Sequence, residues 1–494
     1  MKILKLSAIA ALSCLLTSTL SAEDVKPKRV LKGNMMEVYN TLPKSVDNFV
    51  DAFTEGMFYG RLRANLFEYD FKNNDNIDNK AFGLGGSLIY KTAPFAGLSA
   101  TAGLYYSNSP FSSLREDDAG SVKSGKDTFS RYNVDKNGDW EMVVLAQAYL
   151  QYDISKTSFK VGRQIFESAL TASNDTKMIP NTFEGVSVES KDIAKTTLKA
   201  AYFTAQKLRD HTTFHDVLTY TDGSTDTHAD WNNNDDSGAH KGITYAALKA
   251  ANKDTDNTLI VAALSNKSIK NLKIDATYTA VPDMLSSVIG ELNYTIPLGG
   301  ITIAPGVRYM EQFDNGAGKI GGASLAGGVT DANAASKGYK SGYSLDTSLW
   351  MARLVASAGA FKGQIGYSKV EDKADIVAPW RGFPTGGYTR AMAQLNWKAD
   401  AQTIMFEAKY DFEKANILDG FSAMARYAIQ DSDEKKQASG GQADLSIIHI
   451  DLLQKFTPTL DAKIRLGFVD ADNRTSGVNK DSYNEYRFEI NYLF

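Results

Sequence analysis

From Tyr483 to Phe494 the chain alternates with strict period two. Tyr486, Phe488, Ile490, Tyr492 and Phe494 fall on one side of such a strand, and Glu485, Arg487, Glu489 and Asn491 on the other. A ribbon that is aromatic on one face and charged on the opposite face needs two different solvents. Lipid outside and water inside is such a pair, and in lipid only a closed sheet survives, because an open one leaves a row of unpaired backbone groups. The fold expected is therefore all-β: a transmembrane antiparallel β-barrel of about 18 strands, with a short, partly helical N-terminal periplasmic segment.

The N-terminal region is expected to divide into parts. Residues 1–22 have a positive start (Lys2, Lys5), an apolar run from Ile3 to Leu20 and small residues at Ser21-Ala22, the pattern of a secretory signal peptide. The only cysteine, Cys14, lies in that stretch, so a mature chain would carry no thiol chemistry and no disulfide. Residues 23–54 then form a periplasmic lead-in or, on a sharper reading, a small plug in the lumen. Val46, Phe49, Val50 and Phe53 there share a helical face, Ser45 suits the N-cap and Gly56 the stop. Residues 55–494 are the barrel. With 54 basic against 58 acidic side chains, a net −4, nothing suggests a nucleic-acid partner. The 24 Tyr, 24 Phe and 39 Gly suit strands with interfacial aromatic girdles and tight turns.

Dyad strands recur from Glu55 onward. Leu62, Ala64 and Leu66 oppose Arg61, Arg63 and Asn65, and Leu98, Ala100, Ala102 and Leu104 oppose Ser99, Thr101 and Gly103. Val144, Ala146, Ala148, Leu150 and Tyr152 are read as one lipid-facing row. Segments near Ile301–Tyr309, Ile404–Phe412, Phe421–Ile429 and Leu460–Phe468 repeat the pattern, while Gly242–Ala250 and Tyr388–Trp397 fit either strands or loop ribbons. Long polar stretches at 108–140, 209–241, 313–342 and 371–387 are expected outside, and tight turns at Ser155-Lys156, Asp400-Ala401 and Thr457-Pro458 on the periplasmic side.

Sending the apolar member of each strand to lipid turns Arg61, Arg63, Lys199, Arg308, Lys409, Arg426, Lys463, Arg465 and Arg487 inward. The opposite choice puts arginine against lipid, at about 2–4 kcal/mol each near the midplane. Such a basic row attracts anions or the carboxylate end of a solute. Glu407, Asp411, Asp451, Glu485 and Glu489 also point inward, so the row equally fits a wall of ion pairs that only solvates the lumen. Closure of the first strand on the last brings Lys463, Arg465 and Arg487 beside Arg61 and Arg63, and Arg63, Lys463, Arg465 and Arg487 are the preferred ladder.

The stretch Val161-Gly-Arg163-Gln through Ser168, Asn174, Asp175, Lys177 and Pro180-Asn-Thr-Phe-Glu-Gly185 resembles the OprD-type outer-membrane channels of Gram-negative bacteria. The likeness runs from about Phe58 to Phe494. It implies an eighteen-stranded monomer, sometimes a loose trimer, embedded in outer-membrane lipid and lipopolysaccharide. It also implies recognition of Phe494 by the barrel-assembly machinery and passage of small carboxylate-bearing solutes. Ser168–Pro180 would be the constriction loop, with Ser168, Asn174, Asp175 and Lys177 among its members. Arg163 falls outside by alternation from Phe159 and Val161, unless a bulge or a place beyond the bilayer intervenes.

Other chemistry is set aside. Asp135-x-Asn137-Gly138-Asp139-x-Glu141 fails calcium-loop spacing, and His211-x-x-x-His215 lacks the glutamate of a zinc helix. The acidic run from Thr227 to Asp236 reads as solvated outer loop, with divalent-ion bridging to lipopolysaccharide as a weaker alternative. No metal and no cofactor is expected. The function expected is a non-enzymatic porin for carboxylates, amino acids and ions. A plugged transporter for apolar solutes and a barrel enzyme are the rivals.

Overall fold

The computed structural model describes residues 29–32, 35–72, 78–115, 128–176, 178–219, 238–392, 395–437, 443–472 and 482–494. The expected signal peptide and the acidic run 227–236 lie outside the described residues. A two-stranded ribbon, β1 (Arg29–Leu31) with β2 (Glu37–Tyr39), precedes a six-residue helix, Phe49–Thr54. Its cap is Asn48, whose Oδ1 accepts from the Asp51 amide, not the Ser45 that spacing suggested.

The barrel staves follow in order: β3 (Met57–Phe71), β4 (Asn79–Lys91), β5 (Leu98–Asn108), β6 (Glu141–Ile154), β7 (Thr157–Gln164), β8 (Thr182–Ser190), β9 (Thr196–Lys207), β10 (Leu259–Asn266) and β11 (Leu272–Val281). Next come β12 (Leu285–Tyr294), β13 (Ile296–Leu298), β14 (Ile301–Asp314), β15 (Thr347–Ala358), β16 (Phe361–Val370), β17 (Gln402–Asp411), β18 (Phe421–Asp431), β19 (Asp444–Thr457), β20 (Leu460–Asp472) and β21 (Tyr483–Leu493). β12 and β13 are interrupted only at Thr295, and both pair with β14, so together they form one stave and the closed antiparallel barrel has eighteen. β21 pairs with β3 from Tyr483↔Phe71 to Leu493↔Arg61, and Phe494 exchanges backbone hydrogen bonds with Gly60, which shuts the seam. No described helix is long and apolar enough to cross a membrane.

Side-chain parity sorts as the alternation requires on most staves. On β3, Phe58 and Leu62 are exposed to the outside while Tyr59, Arg61, Arg63, Asn65, Phe67 and Tyr69 are buried inside. On β21, Tyr486, Tyr492 and Phe494 face out and Glu485, Glu489 and Asn491 face in. β6 departs from its expected row. Its pairing with β5 skips from Gln147↔Gly103 to Leu145↔Leu104, so Ala146 is a bulge residue. Above it Val144 and Ala146 turn inward and Val143 and Leu145 face out, while Leu150 and Tyr152 keep the lipid side.

Two further corrections concern connections. Asp400-Ala401 is not a periplasmic turn but the end of a long outer loop, 371–401, leading into β17. The tight periplasmic turn of that region is Gly359-Ala360, between β15 and β16, with Gly359 at φ 55°. Gly242–Ala250 is neither strand nor ribbon; it holds the short helix Tyr245–Ala250 inside an outer loop, and Tyr388–Trp397 is irregular over its described residues.

Candidate functional site

Two outer loops fold into the barrel and meet there. The first, 165–181, starts in a tight turn: Ser168 Oγ lies 2.6 Å from Thr171 Oγ1, and the Ser168 amide donates to the Thr171 carbonyl at 2.8 Å. Its far side drops Met178 and Ile179 into an apolar cluster with Tyr59, Ile89, Tyr105 and Val144 on the inner wall. Asn174, at φ 41°, makes the bend that aims Asp175 at β3. The Asp175 carboxylate then pairs with Arg61, and its Oδ1 accepts from Arg63 Nη1 at 2.9 Å. Arg209 braces the bend from outside, donating to the Asn174 carbonyl at 3.2 Å and to Thr176 Oγ1 at 3.0 Å. Lys177 lies outside the described residues.

The second inward loop is 371–401. Its base is fixed by Asp375, whose buried carboxylate accepts from Tyr339 Oη (3.1 Å), the Leu325 amide (2.8 Å) and the Ala399 amide (2.8 Å). Its tip is stitched to the first loop by backbone: the Ala172 amide donates to Trp380 and the Gly382 amide to Leu170, at 3.1 and 3.0 Å. A Cβ at Gly382 would stand 2.2 Å from the Leu170 backbone, so only glycine allows this approach. The descending limb carries Tyr388 beneath Arg308 and Arg353, whose guanidinium carbons sit 4.7 and 4.4 Å from its ring centre.

The basic side chains named from parity all point inward on their staves, and each meets an acid. Among the described residues, four carboxylates inside the barrel each serve two cations that include an arginine. Asp175 serves Arg61 and Arg63; Asp451 serves Lys463 (3.1 Å) and Arg465 (2.7 Å); Glu407 serves Lys409 (3.0 Å) and Arg426 (2.6 Å); Glu291 serves Arg308 (2.6 Å) and Arg353 (3.2 Å). Each trio carries a formal +1. Arg487 pairs with Glu485, and Lys199 with Glu189 at 3.4 Å. The trios differ in access. Arg61 and Arg63 are sealed, with side chains 0% exposed, whereas Arg353 is 21% and Lys409 43% exposed.

Register shows how the row is staggered. Arg465 lies directly across from Arg487, and Lys463 from Glu489. Arg487 in turn faces Phe67 on β3, whereas Arg63 faces Asn491, so Arg61 and Arg63 stand well toward the periplasmic end from Arg487. Glu489 links the two levels, its Oε2 lying 3.5 Å from Arg63 Nη2. Like charges directly opposite repel. Here Arg465 bonds sideways to Asp451 on β19 and Arg487 bonds along its own strand to Glu485, so each like charge has its own acid.

Against known families, residues 118–494 match the model for the outer membrane porins of the OprD family. The chain belongs to that family. This OprD-family porin resides in the outer membrane of a Gram-negative cell. No curated protein matches it by sequence. Among solved structures it is similar to OccK8 (OprE) of Pseudomonas aeruginosa, at TM-score 0.65 and 15% identity over 90% of this chain and 98% of that one. OccAB4 of Acinetobacter baumannii gives TM-score 0.66 and 15% identity over 89% and 98%. OpdK of Pseudomonas aeruginosa, solved with vanillate, gives TM-score 0.65 and 15% identity over 90% and 99%. These likenesses establish the fold.

Several residues of this OprD-family porin escaped the parity reading. Arg353 was omitted although Trp350 and Leu354 flank it with a clear outward parity. Tyr388 and the carbonyls of Pro384, Gly386 and Gly387, which accept from Arg308 and Arg353, have no local signature at all. His449, buried and 2.8 Å from Asp451, was also missed. Arg163 does face outward; it pairs with Glu184 at 3.1 Å at the outer end of β7 and lies under the Phe214 ring. His211 and His215 do meet, ring nitrogens 2.8 Å apart, but as a hydrogen-bonded pair inside a loop. Asn137-Gly138 ends the helix Arg131–Asn137, with Gly138 left-handed at φ 71°.

Proposed function

We propose that this porin is a passive diffusion channel biased toward small carboxylate-bearing solutes, drawn along the accessible basic residues Arg308, Arg353, Lys409, Arg426, Lys463, Arg465 and Arg487. The observation that carries the reading is the Arg465–Arg487 juxtaposition on β20 and β21. Two guanidiniums on directly paired positions of neighbouring strands, each beside its own acid, concentrate positive charge at one level of the wall, and a planar carboxylate suits bidentate recognition by guanidinium. The shared acids support the same reading, since two cations on one carboxylate leave an uncancelled charge, and low-dielectric walls focus its field. That OpdK was solved with vanillate, an aromatic carboxylate, fits this solute class.

Arg61 and Arg63, which parity alone puts in the ladder, take a different role here. Sealed behind Asp175, they position the first inward loop instead of meeting solute. Ser168 and Asn174 shape that loop, and Asp175 anchors it. The pure protein in a planar bilayer is expected to show stepwise conductance with an anion preference. Substituting Lys463, Arg465 and Arg487 together by glutamine is expected to abolish most of that preference and to slow benzoate-driven liposome swelling more than swelling by a neutral sugar. Unchanged selectivity in the triple variant removes the carboxylate reading and leaves only a general porin.

A further inference from the structure

The barrel closes without the β1–β2 ribbon, yet residues 35–39 are built against its inner wall. Met36, Glu37 and Tyr39 are all under 10% exposed. Arg61 Nη1 donates to the Met35 carbonyl at 2.6 Å, and Ser87 Oγ donates to Glu37 Oε2 at 2.6 Å. The Tyr39 ring stacks on Tyr59 with centres 5.0 Å apart, and its hydroxyl lies 2.9 Å from Met57 Sδ. Tyr59, Arg61 and Ser87 are inward-facing residues of β3 and β4, so β2 runs over the lumen side of the sheet. Burial pushes the Glu37 carboxyl up from its ordinary value, although neighbouring Arg61 pulls it down.

The chain then crosses the periplasmic rim to the other side. Ser45 Oγ and the Val46 amide donate to the Pro94 carbonyl in the β4–β5 turn, at 3.1 and 2.9 Å. The Phe53 carbonyl accepts from Tyr90 Oη at 2.5 Å, and Tyr90 packs on outward-facing Phe58 with ring centres 4.6 Å apart. Phe49, Val50 and Phe53, all at least half exposed, continue that outer apolar belt. One end of the segment is therefore inside the barrel and the other is fixed on its outer edge.

We propose that residues 35–39 are an internal strap of the pore, narrowing the lumen beside β3 and β4 and covering Arg61 from solute. The inference rests on the channel reading above, and the strap is a determinant of pore width and selectivity that the barrel wall alone does not supply. Pore radius and lining charge set conduction and selectivity in such channels. Removing the strap widens the path and uncovers the Arg61 guanidinium on its Met35 side.

The test compares the full-length porin with a variant lacking residues 29–39, both inserted in planar bilayers. Deletion is expected to raise single-channel conductance about twofold and to increase the chloride-over-potassium preference. If the parent conducts and the deletion changes neither quantity, the strap is refuted while the channel reading stands. If neither protein forms pores, the channel reading falls, and a second measurement still decides the strap. In that measurement Glu37→Cys is placed in the full chain, with the parent, whose one cysteine is Cys14, as blank. A membrane-impermeant maleimide is expected to label the folded variant far more slowly than the heat-unfolded one. Equal rates mean that Glu37 stands in open water, and the strap is overturned.

Discussion

The two inward loops are held by arginine pairs in chemically different ways. Loop 165–181 presents a carboxylate, Asp175, to Arg61 and Arg63, and Glu489 lies on the far side of Arg63. Loop 371–401 presents backbone carbonyls: Pro384 and Gly386 accept from Arg308, and Gly387 accepts from Arg353. The loop carboxylate cancels part of the charge it binds, whereas the loop carbonyls satisfy donors and leave in place the +1 that Arg308 and Arg353 keep beyond their shared wall acid Glu291. The same residue type can thus rivet a loop on one side of the barrel and electrify the pore on the other. Burial follows the same division, complete for the first pair and partial for the second.

The sharpest way to break this contrast is to remove one member of each arrangement. Asp175→Ala takes the shared carboxylate from two buried guanidiniums, leaving Arg63 its 3.5 Å contact with Glu489 and Arg61 only neighbouring Glu37, and stripping one partner from a buried ion pair costs about 3–5 kcal/mol. Its unfolding midpoint, read by the loss of the heat-modifiable band on electrophoresis, is expected to fall well below that of the parent. Arg353→Gln touches a pair in partial contact with water and is expected to cost about 1 kcal/mol. Equal losses in the two variants would mean that the sealed and the accessible arrangements are energetically alike.

Selectivity is expected to divide the other way. Arg353→Gln lowers anion preference severalfold in reversal-potential measurements, because the missing charge faced the lumen, and Glu291→Gln raises it. Screening sharpens the point, since the Debye length falls from about 10 Å at 0.1 M salt to about 3 Å at 1 M. The parent's anion preference should therefore fade with salt, and Arg353→Gln should flatten the dependence. A strong effect of Arg353→Gln on stability without one on selectivity would reverse the roles assigned here.

How much of this was legible follows from what kind of information each feature uses. The wall was legible because alternation is local: Arg308 between outward Val307 and Tyr309 needs no knowledge of the rest of the barrel. Arg353 is equally readable from outward Trp350 and Leu354. The Ala146 bulge was not readable, because Val143, Val144, Leu145 and Ala146 suit either face and only the β5 pairing settles them. Asp400-Ala401 mimicked a hairpin turn because the apolar Tyr388–Trp397 stretch before it imitates a strand. That stretch is apolar because it packs among inward loops, where Trp397 and Tyr388 are buried. Asp175 carried no mark of its anchoring role either, since its partners lie more than a hundred positions away in sequence.

The smallest expected effect tests whether only the second loop answers to acid. The roof over its base includes His240, buried with Nε2–H donating to the Gly322 carbonyl at 2.9 Å and Nδ1 accepting from the Gly242 amide at 3.0 Å. That arrangement needs the neutral ring, and burial holds the imidazole below its ordinary value of 6.5, only partly opposed by the bonded Gly322 carbonyl and by nearby Asp375. An opened roof binds a proton at the ordinary value and the closed roof does not, so closure is favoured above that pH and weakens as the pH falls through it. The adjoining segment 238–243 contacts the second loop through the Ala378 amide, which donates to Gly238 at 3.1 Å. Amide exchange over 238–243 and 374–378 should accelerate severalfold between pH 7.5 and pH 5, while 170–176 in the first loop changes little. His240→Gln, which takes up no proton, should remove the difference, and an equal acid response in both loops would show that the contrast lies elsewhere.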